Sequence, residues 1–148
     1  MKLKVSRKDV FYFNKAKEIA EKSSFKRVHI GCVVVYHNTI LAYGCNEDKT
    51  DTIQYEYNAY RSMIPNKGKP INHFVHAEIK ALKKIRYLDI DFDKVRVYIY
   101  RADLNGQMAM CRPCEACMNY IKQLGIKNIY YTTTSGYACE VFKENYGD

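Results

Sequence analysis

The sequence has no tryptophan and no long apolar run. Its 148 residues are 47% hydrophobic and 27% charged, which is an ordinary globular composition. The apolar runs are far shorter than the roughly 20 residues that a membrane-spanning helix needs. The N-terminus lacks the apolar stretch and cleavage site of a signal peptide, and we find no internal repeat, low-complexity tract or domain linker. We therefore expect one domain over residues 1–148, in a cytoplasmic protein without membrane contact.

Acidic residues are also scarce relative to basic ones. The chain has 24 Lys and Arg against 16 Asp and Glu, a net charge of +8, and residues 1–30 hold nine basic residues against three acidic ones. A basic N-terminal segment of this kind could bind the phosphates of a nucleic acid. A solvated helix face that binds nothing is an equally good explanation.

Six cysteines are present, but the chain lacks the other features of a disulfide scaffold. Such scaffolds are typical of smaller, loop-rich secreted chains. Here Cys114 and Cys117 have C-x-x-C spacing, while Cys32 and Cys45 lie in apolar, strand-like segments. A reducing compartment with one metal site is the simpler explanation.

Hydrophobic periodicity and turn residues predict the element order α-β-β-α-β-α-β-β. The predicted helices cover residues 8–23, 76–87 and 113–124, and the predicted strands cover 30–36, 39–43, 95–100, 129–133 and 137–142. Pro113 is expected at the first helical position and Gly125 just after the last. This order predicts an α/β sandwich around a five-stranded mixed sheet, with the last two strands forming an antiparallel hairpin.

A polar, tyrosine-rich insert of about residues 47–73 separates the second strand from the His76 helix. It is long for a structureless loop. We therefore expect a short helix near residues 55–63 and a lid-like turn around Pro65, Gly68 and Pro70.

The most specific pattern is the pair of segments His76-Ala77-Glu78 and Pro113-Cys114-Glu115-Ala116-Cys117. On a helix, Cys114 and Cys117 share one face in the first turn, where the positive end of the dipole favours thiolates. His76 should begin another helix, so that His76, Cys114 and Cys117 bind Zn²⁺ and leave its fourth position to water. Zinc lowers the pKa of its bound water to about 7. Glu78, close to the open position, can then carry protons as the catalytic residue.

A closed, structural zinc site is the alternative interpretation of the same cysteines. It needs a fourth protein ligand, and Cys111, three residues before Cys114, is the candidate. A closed site would leave Glu78 without a role. We therefore favour three protein ligands and interpret Cys111 as a plain thiol in the approach loop.

The H-x-E and P-C-x-x-C segments, in this order, resemble the signature of the zinc-dependent cytidine and deoxycytidylate deaminase superfamily. The resemblance covers roughly residues 8–142 and implies a three-layer α/β/α sandwich and hydrolytic release of ammonia from a nucleobase. It also implies that Asn46, at the end of the second strand, binds the substrate sugar, and that the backbone N–H of Ala77 contacts the base carbonyl. Members of such folds usually associate, so we expect a homo-oligomer.

Two departures from the family pattern bear on the substrate. The insert is not standard in small nucleoside deaminases. The approach to the cysteines, residues 101–112, is longer than the short T-x-x-P-C of deoxycytidylate and tRNA adenosine deaminases. That approach and the predicted C-terminal hairpin are similar to the nucleoside cytidine deaminases.

The sequence leaves two substrate classes open. The first is a small cytosine nucleoside or nucleotide (cytidine, deoxycytidine or dCMP), deaminated to its uracil product, with Lys49, Arg61 or Arg112 as candidate phosphate ligands. The second is a base in single-stranded DNA or RNA, with cytosine preferred to adenine as the expected target. There the basic N-terminus and Tyr55, Tyr57 and Tyr60 would form a phosphate track with stacking platforms, although packing is the more ordinary role for these tyrosines. A zinc-stabilised binding module without activity is disfavoured by the presence of Glu78.

Overall fold

A computed structural model describes residues 5–25, 28–62 and 72–142 of the chain. Its helices are α1 (Arg7–Ala20), α2 (Thr52–Tyr57), α3 (Ala59–Ser62), α4 (Ala77–Leu82) and α5 (Glu115–Leu124). Its strands are β1 (His29–Tyr36), β2 (Thr39–Cys45), β3 (Arg96–Ala102), β4 (Asn128–Thr133) and β5 (Gly136–Val141). Lys26 and Arg27 of the basic segment, and the lid-like turn predicted around residues 65–70, lie outside the described residues.

The five strands form one mixed sheet in the order β2-β1-β3-β4-β5. Only β3 and β4 run parallel, and the other neighbouring strands are antiparallel. The β1–β2 turn consists of His37 and Asn38, both with positive φ, as the common two-residue hairpin turn requires. The predicted five-stranded mixed sheet and its C-terminal hairpin are confirmed.

Helix α1 covers one face of the sheet. Ser6 caps its N-terminus in a reciprocal pair of hydrogen bonds with Asp9, and its apolar side packs against β1 and β3. At Gly31 the helix backbone comes so close that an added Cβ would lie 2.1 Å from the carbonyl oxygen of Ala16. A glycine at this point in β1 therefore allows α1 to lie directly on the sheet.

The opposite face of the sheet packs against α4 and α5 in the larger of the two hydrophobic clusters. With α1 on the first face, this arrangement confirms the three-layer α/β/α sandwich. The short helices α2 and α3 of the insert contact α5. Among the described helices, none combines the length and apolar character needed to cross a bilayer.

Several helix boundaries differ from the sequence prediction. Helix α1 ends at Ala20 instead of residue 23, and the short helix expected near residues 55–63 is the pair α2 and α3. Helix α4 ends at Leu82 instead of near Tyr87, because the backbone continues in tight turns such as Ile85 N–H to Leu82 C=O. Cys114 is the N-cap of α5, so Pro113 precedes the cap and does not occupy the first helical position. Gly125 ends the helix with a φ of 94°, as its C′ role requires.

Candidate metal centre and catalytic cleft

The start of α4 and the start of α5 bring three potential metal ligands together. His76 is the N-cap of α4, Cys114 is the N-cap of α5, and Cys117 lies in the first turn of α5. The Nδ1 atom of His76 lies 3.5 Å from the Sγ of Cys114 and 3.3 Å from the Sγ of Cys117. All three ligand atoms lie within 4.8 Å of one another.

These distances fit a zinc ion. Tetrahedral coordination with ordinary Zn–N and Zn–S bonds puts a nitrogen and a sulfur ligand about 3.6 Å apart. The two measured N···S distances are close to that value, and one imidazole with two thiols is a ligand set that zinc prefers. The group therefore could hold the metal and leave one coordination position open.

The electrostatics at the start of α5 favour a thiolate ligand. The pKa of Cys114 is lowered to about 4 because Cys117 and His76 hydrogen-bond to its sulfur and outweigh its burial. Burial keeps the pKa of Cys117 high, which is consistent with Cys117 as the S–H donor of the pair. The thiolate is the form of cysteine that binds metals, so Cys114 is prepared for coordination.

Glu78 lies two residues beyond His76 on α4 and is 5% exposed. Burial raises the pKa of its carboxyl group, and the nearby His76 works against this increase. A carboxyl group whose pKa lies above its usual range is better suited to general acid–base chemistry than an ordinary glutamate. Glu78 lines the same cleft as His76 and Cys114.

Cys111 is not part of the candidate metal-binding group among the described residues, and its thiol has other hydrogen-bond partners. Its thiol contacts the carbonyl oxygen of Ile99 at 3.3 Å and the Thr132 hydroxyl at 3.1 Å. Burial raises its pKa to about 12, whereas the pKa of Cys114 is lowered. Within the described part of the chain, the potential metal-binding group consists of His76, Cys114 and Cys117, which favours the open three-ligand site.

A cleft of ≈240 Å³ is lined by two of the three potential ligands, His76 and Cys114. Phe25 and Phe74 line it with their rings edge to face, at a centroid distance of 5.8 Å. Its polar lining comes from six side chains: Asn46, Asn72, His76, Glu78, Arg101 and Arg112. Apolar walls with a few convergent polar groups are typical of a small-molecule site.

Asn46 lies in the cleft wall, but most of its amide is used within the protein. Its Oδ1 accepts hydrogen bonds from Ile30 N–H at 2.9 Å and from the Ser23 hydroxyl at 2.7 Å. Its Nδ2 donates to the Val28 carbonyl at 2.8 Å. The second N–H of the amide has no partner among the described residues, and the contact with a sugar stays a prediction.

Arg112 is the predicted phosphate ligand that lines the cleft. Its Nε and one terminal nitrogen donate to the Glu140 carboxylate at 2.6 and 3.2 Å. The Tyr131 hydroxyl donates to the same carboxylate at 2.7 Å. A guanidinium has five N–H donors, so three remain after the pairing with Glu140 as far as the described residues are concerned.

The other predicted substrate residues differ in their surroundings. Ala77 is fully buried at the first position of α4, next to His76. Lys49 is exposed, and Arg61 is half-buried on α3 with a contact of 3.4 Å to Asn58. Neither basic residue lines the cleft that the described residues form.

Sequence reasoning missed two buried or partly buried groups near this site. Glu140 orients Arg112 from β5, and Gln54 of the insert accepts a hydrogen bond from the His76 backbone. Both partnerships join residues more than 20 positions apart. Local sequence patterns do not predict hydrogen bonds between residues so far apart in the chain.

The comparisons with known proteins agree with this fold. A family model described as the cytidine and deoxycytidylate deaminase zinc-binding region matches residues 6–133. No curated protein matches the chain in sequence.

Two solved structures illustrate the likeness of fold. The dCMP deaminase of cyanophage S-TIM5, in complex with dCMP and dUMP, is 24% identical, with a TM-score of 0.59 over 87% of this chain and 83% of its own. A cytidine deaminase from Burkholderia pseudomallei is 14% identical, with a TM-score of 0.58 over 93% of each chain.

Proposed function

The chain belongs to the cytidine and deoxycytidylate deaminase family, and we propose that it is a zinc-dependent enzyme that converts the cytosine of a nucleoside or nucleotide to uracil with release of ammonia. One observation carries the proposal: His76, Cys114 and Cys117 converge at the spacing that zinc requires, with the buried carboxyl group of Glu78 in the same cleft. A purely structural zinc site would give this carboxyl group no function.

In this mechanism each residue has one task. His76, Cys114 and Cys117 would hold Zn²⁺, which when bound supplies activation of water as a nucleophile at neutral pH. Glu78 would accept a proton from the attacking water and pass it to N3 of the ring, and would then pass the second water-derived proton to the departing amino group. The overall reaction consumes one water and yields the uracil base and ammonia. The backbone N–H of Ala77 would bind the base carbonyl, and the free N–H of Asn46 would bind the sugar.

We propose a single nucleoside or nucleotide (cytidine, deoxycytidine or dCMP) as the substrate. The cleft of ≈240 Å³ is below the range of roughly 300–1,000 Å³ that is typical of pockets for drug-sized ligands. The three remaining N–H donors of Arg112 suit a phosphate at the cleft rim. The cyanophage structure that shares this fold holds dCMP and dUMP, which supports a nucleotide, whereas the Burkholderia protein is a nucleoside enzyme by name.

The insert tyrosines give little support to the alternative of a single-stranded nucleic acid. Tyr57 packs edge to face on Tyr120 of α5, at a centroid distance of 4.9 Å, and its hydroxyl donates to Gln123. The Tyr60 hydroxyl accepts a hydrogen bond from Gln123. Two of the three tyrosines thus contact α5, and Tyr55, which is 62% exposed, packs its ring against His73 at a centroid distance of 4.5 Å.

A side-by-side assay tests the substrate class. Purified protein with zinc would be given cytidine, deoxycytidine, CMP, dCMP, single-stranded DNA and single-stranded RNA, with ammonia and the uracil product measured. We expect turnover of at least one free nucleoside or nucleotide, with a shallow dependence on salt. Turnover of polynucleotides alone, with a steep salt dependence, would move the enzyme to the second class.

We also propose a homo-oligomer, as many related folds associate. Light scattering after size-exclusion chromatography would measure the mass in solution. A mass equal to one chain would contradict the proposal.

A further inference from the structure

The insert between β2 and α4 contains a glutamine whose side chain is entirely buried. Gln54 lies on α2, where the Asp51 carboxylate caps the helix by accepting from the Gln54 backbone N–H at 3.0 Å. Its own side chain is 0% exposed. Burial of an amide is costly unless its polar atoms are hydrogen-bonded, so the partners of this side chain indicate why it is there.

The partners of Gln54 lead directly to the metal centre. Its Oε1 accepts a hydrogen bond from the backbone N–H of His76 at 2.9 Å, and its Nε2 donates to the Oδ1 of Asn58 at 2.8 Å. Asn58, 2% exposed, donates in turn to the Asn72 carbonyl at 3.1 Å and lies 3.0 Å from the Nδ1 of His73. These two buried amides connect the insert to the segment that leads into His76.

The hydrogen bond to His76 occurs at a position where the helix has no cap of its own. His76 is the N-cap of α4, and its side chain makes no capping hydrogen bond. In a capping box, the residue three positions later accepts from the N-cap N–H. Here that residue is the apolar Ile79, and Gln54 supplies the acceptor from a different helix. The backbone of His76 is therefore fixed from outside α4.

We propose that Gln54, supported by Asn58, is a positioning residue for the metal ligand His76. The hydrogen bond to the His76 backbone holds its Nδ1 at 3.3–3.5 Å from the two thiols, so that zinc finds a preformed site. The insert thereby has a role inside the protein, in addition to any role at the cleft. This inference rests on the proposed zinc site.

The test is the zinc affinity of a Gln54→Met variant. Methionine nearly preserves the volume of glutamine but removes the acceptor for the His76 N–H. Partners that orient metal ligands typically contribute ten- to a hundred-fold to metal affinity. Competition with a chromophoric chelator should therefore show zinc binding weakened by roughly ten- to a hundred-fold, and the Co²⁺-substituted protein should show an altered d–d spectrum.

Gln123→Met is the matched control. Gln123 is exposed on α5 and binds Tyr57 and Tyr60 of the insert, away from His76. The same substitution there weakens the anchoring of the insert without touching the metal ligand. We expect its zinc affinity and Co²⁺ spectrum to match the wild type, with urea unfolding measured on both variants to compare their stability.

Four outcomes would overturn the inference, the last of them only if Gln54→Met does not fold. If Gln54→Met has the zinc affinity and the Co²⁺ spectrum of the wild type, the inference about Gln54 is wrong, but the proposed function is not affected. If Gln123→Met loses as much zinc affinity and as much stability as Gln54→Met, the effect is a general one of the insert and not specific to Gln54. A wild-type protein that binds no zinc would overturn the proposed function as well. If Gln54→Met does not fold, Asn58→Leu replaces it, with an expected loss smaller than tenfold, and unchanged affinity there would contradict the proposal.

Discussion

Replacement of Arg112 by methionine should separate nucleotide from nucleoside turnover. Arg112 lines the cleft, and two of its N–H donors are committed to Glu140. Its remaining donors can bind a phosphate. Methionine keeps an unbranched apolar side chain but removes the charge and every donor.

The expected magnitude follows from the strength of one charge-assisted hydrogen bond. Such a bond contributes about 1.5–3 kcal/mol, and each 1.4 kcal/mol is a factor of ten in rate. Arg112→Met should therefore lower kcat/KM for dCMP by roughly tenfold to a hundredfold, and that for deoxycytidine by less than about threefold. The ion pair with Glu140 is partly exposed, with 47% of the Arg112 side chain accessible, so its loss costs at most about 1 kcal/mol of stability.

The assay is steady-state kinetics with dCMP and with deoxycytidine. Two further variants serve as controls for its interpretation. Lys49→Met removes an exposed charge that does not line the described cleft and should leave the dCMP-to-deoxycytidine ratio unchanged. The double variant Arg112→Met/Glu140→Gln removes the carboxylate that would otherwise repel phosphate. A loss that persists there identifies Arg112 as the phosphate ligand. Equal losses for both substrates, or a selective loss in Lys49→Met, would refute the reasoning.

Three further predictions concern the metal, the core and the pH dependence of stability. Cys114→Ala should abolish stoichiometric zinc binding in metal analysis and lower the urea midpoint of the zinc-loaded protein, because the ligands join two helices. Gly31→Ala should lower the free energy of unfolding by about 1–3 kcal/mol, because its Cβ would meet the α1 backbone; an unchanged urea midpoint would contradict it. The hydrogen bond from Arg112 lowers the pKa of Glu140, so this stabilisation is complete above the ordinary value of about 4.3 and is lost as the pH falls through the lowered pKa. Glu140→Gln should flatten that acid limb in denaturation measured as a function of pH, and an unchanged limb would argue against the pairing.

The sequence predicted best those features that depend on residues close together in the chain. Apolar runs and turn residues predicted all five strands of the sheet, and the C-x-x-C spacing predicted that two thiols share the first turn of α5. The exact end of α4 was missed because Lys83 to Tyr87 still has helical periodicity while the backbone turns more tightly.

The supports of the site depend on contacts between distant segments. Gln54 is an ordinary residue of a short helix until the fold brings it to His76, and Glu140 is an exposed-looking strand residue until β5 places it beside Arg112. Asn46 was predicted from the resemblance as a sugar ligand, yet its hydrogen bonds to Val28 and Ile30 give it a structural role as well. Position in a motif does not reveal how many donors of a side chain remain for a ligand.

The most direct test of the central claim compares the zinc-loaded wild type with zinc-loaded Glu78→Gln. Glutamine preserves the size of the side chain but cannot carry protons, and Glu78 is not among the three ligands that converge. With metal content measured on the same samples, both proteins should contain one zinc per chain. The wild type should release ammonia from a free cytosine nucleoside or nucleotide, and the variant should be slower by roughly 10²–10⁴-fold or more. Near-normal turnover by the zinc-loaded variant, or equal turnover by wild-type protein with and without zinc, would contradict the account.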